Sequence, residues 1–219
     1  MRIIRPLLVS IIVLAFCASA HAENMRIVVF GDSLTSGYRL QPEEAFPAKL
    51  QRKLLEIGYQ NIEVVNMSLA GETTTGGLER VNAVLTKRPD IVMLELGGND
   101  VLRGINSTLI FRNLATIIGK LQMEKIYVIM VGIKAPPSMG LSYGQQIDAI
   151  YQSLAETYHT PYYPNALEGV TENPDYNLAD GLHPNAKGVD VMVENMYRLV
   201  DSGLRWKWNL MQYQEQYKP

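Results

Sequence analysis

The sequence predicts an α/β fold of three layers, α/β/α, in which a mostly parallel five-stranded sheet lies between helices. Three observations carry that prediction. Short apolar, β-branched runs recur at residues 27–30, 62–65, 91–96 and 126–131 and, more weakly, at 161–163. Segments with helical period and ordinary helix length lie between them. Strand–helix alternation of this kind packs as a doubly wound sheet with helices on both faces.

The elements follow in order. Residues 1–22 stand apart from the rest. Arg2 and Arg5 precede an apolar stretch of ten residues, 7–16, and Ala20-His21-Ala22 offers an A-x-A cleavage site. The stretch is short for a bilayer span, which takes about 20 residues. The segment reads as a cleaved signal peptide, and exported, periplasmic or secreted material is expected. The only cysteine, Cys17, lies inside it, behind bulky Phe16, where a lipoprotein site carries a small residue. Disulfides and thiol catalysis are therefore not expected of the mature chain. Residues 23–219 read as one domain with a short C-terminal extension, because no repeat or Gly/Ser linker divides them.

The first strand, 27–30, runs into Gly31-Asp32-Ser33-Leu34. A helix is then expected from Pro42-Glu43-Glu44, with proline and acids in its first turn, through Ala45, Leu50 and Leu54 to Gly58. The second strand, 62–65, leads into Asn66 and the segment around Gly71. A helix over 75–87 carries Leu78, Val81 and Leu85 on its apolar face. The third strand, 91–96, ends in Gly97-Gly98-Asn99-Asp100. Helices over 107–122 and 142–159 flank the fourth strand. The weak fifth strand and the Asp180 to Asn185 segment precede a last helix over 186–201.

Composition narrows the function. The apolar fraction of 47% excludes a disordered chain. A formal charge of −2, moving to −4 once Arg2 and Arg5 leave, gives no basis for nucleic-acid binding.

Open α/β sheets place their sites at the carboxyl ends of the strands. Ser33, Gly71, Asn99 and the Asp180–His183 pair all lie in segments that follow strands, so they are expected at one edge. A serine hydroxyl needs a base to act as a nucleophile. Of the three histidines, His21 leaves with the signal peptide and His159 precedes a strand, at the opposite edge. His183 is the base that remains. Asp180, three residues earlier, is placed to orient its imidazole. The Ser33 and Gly71 amides and the Asn99 side chain are three donors for an oxyanion, and losing one such donor typically costs about 10²–10³ in rate. Taken singly, each segment has an ordinary structural reading as a turn, loop or helix cap. Their joint occurrence is what carries the argument.

In chain order, "GDSLTSGY", the Gly71 segment, "GGND" and "DGLHPN" resemble the four blocks of the GDSL, or SGNH, hydrolase family. "ELGGNDVLRG" resembles the bacterial thioesterase/lysophospholipase/arylesterase branch. The resemblance implies the flavodoxin-like SGNH-hydrolase fold. It implies Ser33 as nucleophile, His183 as base, Asp180 as orienting acid, and Ser33, Gly71 and Asn99 as the oxyanion hole. It implies no metal and no organic cofactor. G-x-S-x-G is absent, because Thr35 stands where that motif has glycine, so a looser turn is expected at Ser33. Asp32 and Asp100 read as residues that fix their loops.

The expected reaction is hydrolysis of carboxylic esters and thioesters through an acyl-enzyme, with a small acyl ester or a lysophospholipid as substrate. A carbohydrate or peptidoglycan O-acetylesterase is the alternative, and a non-catalytic binding protein is a third reading. Leu102, Ile105, Met139 and Leu141 are candidates for an acyl groove, or else ordinary loop packing. Leu204-Arg205-Trp206-Lys207-Trp208 suits a peripheral membrane contact, or a terminal segment docked on the domain. A monomer is expected.

Overall fold

The computed structural model describes residues 24–217; the predicted signal peptide and Cys17 lie outside them. Five strands form one parallel sheet: β1 (Met25–Gly31), β2 (Ile62–Asn66), β3 (Ile91–Glu95), β4 (Tyr127–Val131) and β5 (Tyr162–Tyr163), in the order β2-β1-β3-β4-β5. The central strands are mostly apolar because both faces are covered. Ile27, Val28, Val29 and Phe30 on β1 are fully buried, as are all five residues of β3.

One helical layer pairs α2 (Phe46–Glu56) with α7 (Ala186–Gln216). The other packs α3 (Thr74–Leu85) on α5 (Ser107–Met123) and α5 on α6 (Leu141–Tyr158). In α2 the stripe Phe46, Leu50 and Leu54 is wholly buried. Each such side chain contributes about 1.5–3 kcal/mol on burial. Lys49 on the same helix is almost as buried; its Nζ donates to Ala186 O at 2.6 Å and to Asp190 Oδ1 at 2.5 Å, joining α2 to the start of α7.

Three expectations are corrected. The helix expected from Pro42 is two pieces, a 3₁₀ turn at Pro42–Glu44 and then α2. Ala45 between them is extended, and Pro47 has no N–H to bond back to Glu43, so the helix restarts. Ser33 is not on a loose turn: it opens a short helix, α1 (Ser33–Ser36), whose N-cap is Asp32. The last helix does not stop near 201. It continues to Gln216, and the expected extension is its final turns. No glycine or proline lies between Leu204 and Gln216 to end it.

The strands' carboxyl ends lie at one edge, which gathers the segments that follow Gly31, Asn66 and Glu95. His159, in the left-handed conformation at the end of α6, precedes β5 at the other edge. No described helix is long and apolar enough to cross a membrane.

Candidate active site

Asp32 makes the first part of the site. It is 1% exposed, and its Oδ1 accepts the Leu34 N–H at 3.0 Å, which caps α1. The cap fixes the turn that lifts Ser33 to the sheet edge, half-buried. The Ser33 amide, as the first residue of the helix, has no partner among the described residues.

Asp180 and His183 come from a loop far along the chain. That loop is closed by a bridge between Asn177 and Pro184 and by the Leu178 N–H donating to His183 O at 2.8 Å. Within it, Asp180 Oδ1 accepts the backbone N–H groups of Leu182 and His183, both at 3.0 Å. Asp180 Oδ2 lies 2.9 Å from His183 Nδ1, and His183 Nε2 lies 2.9 Å from Ser33 Oγ. The hydrogen bond from the His183 amide, with that from Leu182, pulls the Asp180 carboxyl down to about 2. A charged carboxylate therefore faces the imidazole at neutral pH.

Asn99 lies in α4 (Gly98–Leu102), the short helix that follows β3. Its Nδ2 donates to Asp32 Oδ2 at 3.1 Å and to Glu72 O at 2.9 Å. Asn99 is thus tied beside Ser33 on one side and beside Gly71 on the other, with both amide hydrogens already engaged. Gly71, at φ 81°, is exposed, and its N–H is unpartnered among the described residues. Gly97 precedes α4 at φ 123°, and a Cβ there would collide with the Tyr151 hydroxyl, which donates to Leu96 O at 2.7 Å. Asp100, also buried, accepts from Thr74 N at 2.8 Å and from Thr74 Oγ1 at 2.6 Å. It ties α4 to the start of α3.

With this geometry in place, the sequence profile of the GDSL-like lipase/acylhydrolase family matches residues 29–191. The chain belongs to that family. Among GDSL-like relatives, an arylesterase of Vibrio mimicus is 39% identical over 175 residues, 79% of this chain and 87% of the relative. The thioesterase 1/protease 1/lysophospholipase L1 of Escherichia coli is 34% identical over 176 residues, covering 80% and 81%. A crystal structure of the psychrotrophic esterase EstA from Pseudoalteromonas sp., inhibited by monoethylphosphonate, superposes with a TM-score of 0.78. It is 29% identical, over 84% of this chain and all of that one.

Further residues shape this GDSL-like site. The Tyr38 ring lies 4.5 Å from the His183 ring, centroid to centroid, and covers it. Buried Glu72 is clamped by the Arg80 guanidinium, which also donates to Met67 O at 2.9 Å. That clamp fixes the segment bearing Gly71 and the carbonyl that holds Asn99. The spacing of eight residues between Glu72 and Arg80 is the one sequence cue. Arg80→Ala leaves the Glu72 carboxylate buried without its cation. It is expected to lower unfolding stability by about 3 kcal/mol, less than a fully buried pair would give because Arg80 is partly exposed. Urea denaturation checks this, and an unchanged midpoint would refute it.

The four candidates for an acyl groove are not equivalent. Leu102 and Leu141 are 52% and 80% exposed, whereas Ile105 is half-buried against the core and its carbonyl accepts from the Tyr143 hydroxyl at 2.8 Å. Met139 reaches Gly104: a Cβ there would lie 3.7 Å from the Met139 Cε. The 102–105 and 136–141 loops thus meet. A groove of about 740 Å³ lined by Tyr127, His159, Trp206 and Leu210 lies at the opposite edge of the sheet and shares no residue with Ser33's surroundings. It is not read as the acyl site.

Proposed function

We propose that this chain is a carboxylic ester hydrolase that cleaves esters and thioesters through an acyl-enzyme on Ser33. The observation that carries the reading is the unbroken hydrogen-bond path from Ser33 Oγ through His183 to Asp180. It is the connectivity of a serine nucleophile, its base and the base's orienting acid. Names of the relatives agree in kind, being an arylesterase and a thioesterase/lysophospholipase, and EstA is an esterase inhibited by monoethylphosphonate.

His183 Nε2 takes the Ser33 proton as Oγ attacks the acyl carbon. The carbonyl oxygen becomes an oxyanion beside the Ser33 and Gly71 amides, which are unpartnered, and Asn99, which turns one hydrogen from Asp32 towards it. The tetrahedral species collapses, and the departing alcohol or thiol takes its proton from His183. Water then enters, gives a proton to His183 and attacks the acyl-enzyme; collapse returns the proton to Ser33 Oγ and releases the acid. Asp180 keeps Nδ1 protonated throughout, so that Nε2 is free to accept.

The 102–105 and 136–141 loops are the candidate walls of the acyl site, with Met139 and Leu102 as its apolar contacts. Hydrolysis of p-nitrophenyl esters from acetyl to palmitoyl tests this. Leu102→Ser and Met139→Ser are expected to shift the optimum towards shorter chains, by up to about tenfold in kcat/KM per lost apolar contact. An unchanged chain-length profile in both variants would remove these loops from the acyl site.

The proposed setting is the cell envelope, with the 1–22 segment as export signal, lysophospholipids as candidate substrates and a monomer as the working form. Peripheral membrane contact falls to the last turns of α7. Trp206 spends one face on Tyr127, 5.1 Å between centroids, while Trp208, Tyr213 and Tyr217 remain outward.

A further inference from the structure

The site leaves one buried acid unexplained. Glu95, the last residue of β3, is 1% exposed and lies directly beneath the nucleophile's turn. Its Oε2 is 3.2 Å from the Asp32 amide and 3.1 Å from Thr35 Oγ1; its Oε1 has no partner among the described residues. No lysine or arginine pairs with it among the described residues; Arg80 pairs with Glu72. The ionisable groups around it are Asp32 from the turn after β1 and Tyr151 from α6. Neither offers a positive charge.

Counting hydrogens across its contacts favours a protonated Glu95. Three polar contacts run in series: Glu95 Oε2 to Thr35 Oγ1 at 3.1 Å, Thr35 Oγ1 to Ser68 Oγ at 2.8 Å, and Ser68 Oγ to Val29 O at 3.3 Å. The last acceptor is a carbonyl, which also takes the Met67 N–H at 2.8 Å, so that contact is a hydrogen bond only where Ser68 gives its one hydrogen there. Ser68 can then only accept from Thr35, which spends Thr35's only hydrogen. The contact between Thr35 and Glu95 is left with none unless Glu95 supplies it. An ionised Glu95 gives two hydrogens to three contacts; a protonated one gives three to three.

We propose that Glu95 is a neutral carboxylic acid and a positioning residue, whose proton starts a one-directional hydrogen-bond chain that fixes the segments bearing Ser33, Gly71 and Asn99. The chain spans the ends of three strands. Thr35 is on the helix that Ser33 opens, Ser68 precedes Gly71 by three residues, and Glu95 precedes Asn99 by four. Gly31 leaves room for it, since a Cβ there would run into both Thr35 Oγ1 and the Glu95 carboxyl. Burial drives the Glu95 carboxyl well above its ordinary 4.5, and the nearby Asp32 carboxyl adds to the rise. The positioning role rests on the function proposed above; the protonation state does not.

Two measurements test the proposal. A carboxyl whose folded pKa is raised gives its full stability below the unfolded value. That stability is lost as pH climbs from there towards the folded value, because only the unfolded chain ionises. Glu95→Gln has no such proton to lose, and Asp32 contributes to both proteins. The folding constant of Glu95→Gln relative to wild type is therefore expected to rise about tenfold per pH unit from about pH 5 upwards, read by urea denaturation at several pH values. A ratio that stays flat across that range shows an ionised Glu95 and overturns the proposal.

The second measurement is the kinetics of Glu95→Gln beside Glu95→Ala. Glutamine can donate to Thr35 as the acid does, so its kcat is expected within about fivefold of wild type, the worth of one weak hydrogen bond. Alanine breaks the chain at its source, and a fall in kcat of at least about tenfold at constant KM is expected. Equal kcat in the two variants would end the positioning role. If alanine does not fold, the pH series on glutamine still decides. If no Ser33-dependent hydrolysis is found in the wild type, the proposed function fails while the pH series continues to report on Glu95.

Discussion

Ser33→Ala is expected to lower kcat/KM on p-nitrophenyl esters by at least about 10⁴-fold, while thermal stability stays within about 0.5 kcal/mol of wild type. The chemical part of this expectation comes from the path of hydrogen bonds. Ser33 Oγ is the only hydroxyl bonded to His183 Nε2 among the described residues, so no second nucleophile waits beside the base. What survives in the variant is the oxyanion pocket and substrate binding, which alone retain about 10³–10⁴ over water. The structural part follows from where the turn gets its order. Asp32 caps α1 through the Leu34 amide, and the Glu95–Thr35–Ser68 chain lies beneath, and neither uses the Ser33 hydroxyl. Steady-state kinetics with a thermal melt checks both halves. A folded Ser33→Ala variant that retains wild-type turnover would overturn the proposed mechanism.

Asp180→Asn is expected to reduce kcat by about 10³-fold, somewhat less than the roughly 10⁴ of a fully buried acid, since about a quarter of the Asp180 side chain remains exposed. Asparagine is nearly the same size and can still accept the Leu182 and His183 amides through its carbonyl. Its amide nitrogen would then face Nδ1 and favour the tautomer with the proton on Nε2, where a base is needed. The loop should therefore keep its shape and lose its function. The wild-type carboxylate, held down to about 2, remains charged from mildly acid pH upwards. Its charge is available wherever the enzyme works. Kinetics as a function of pH checks this: the loss in Asp180→Asn is expected to persist at high pH, because the wrong tautomer does not depend on charge. Full recovery there would show that Asp180 acts only through charge.

Much of the fold was legible because each signal was local. The runs at 27–30, 91–96 and 126–131 are strands because they are largely apolar on both faces, a pattern that a covered parallel sheet rewards, while the run at 62–65 is the half-covered edge. Even the two-residue β5 was marked by its weak run. Where the reading slipped, a neighbour was responsible. The start of α2 moved because Pro47 interrupts the bonding that Pro42 seemed to begin. The turns of α7 beyond residue 201 persist because Gly203 and Leu204 are buried and Trp206 lies on Tyr127, contacts no helical period announces. A similar limit applied at the site. The gathering of Ser33, Gly71, Asn99, Asp180 and His183 at one edge was legible, because each follows a strand or shares a short loop. Tyr38, Arg80 and Glu95 were not, since their parts depend on what lies across from them.

The sequence by itself determined the strand and helix order, the edge at which the polar segments gather, and the family. These depend on periodicity and on chain direction, and both are properties of neighbouring residues. Tertiary structure alone decided that His183 Nε2 meets Ser33 across 150 positions of chain, that Asn99 is held between Asp32 and Glu72, and that Glu95 pairs with no cation among the described residues. Hydrogen bonds and charge burial depend on distances of a few ångströms between groups remote in sequence. Only packing sets those distances.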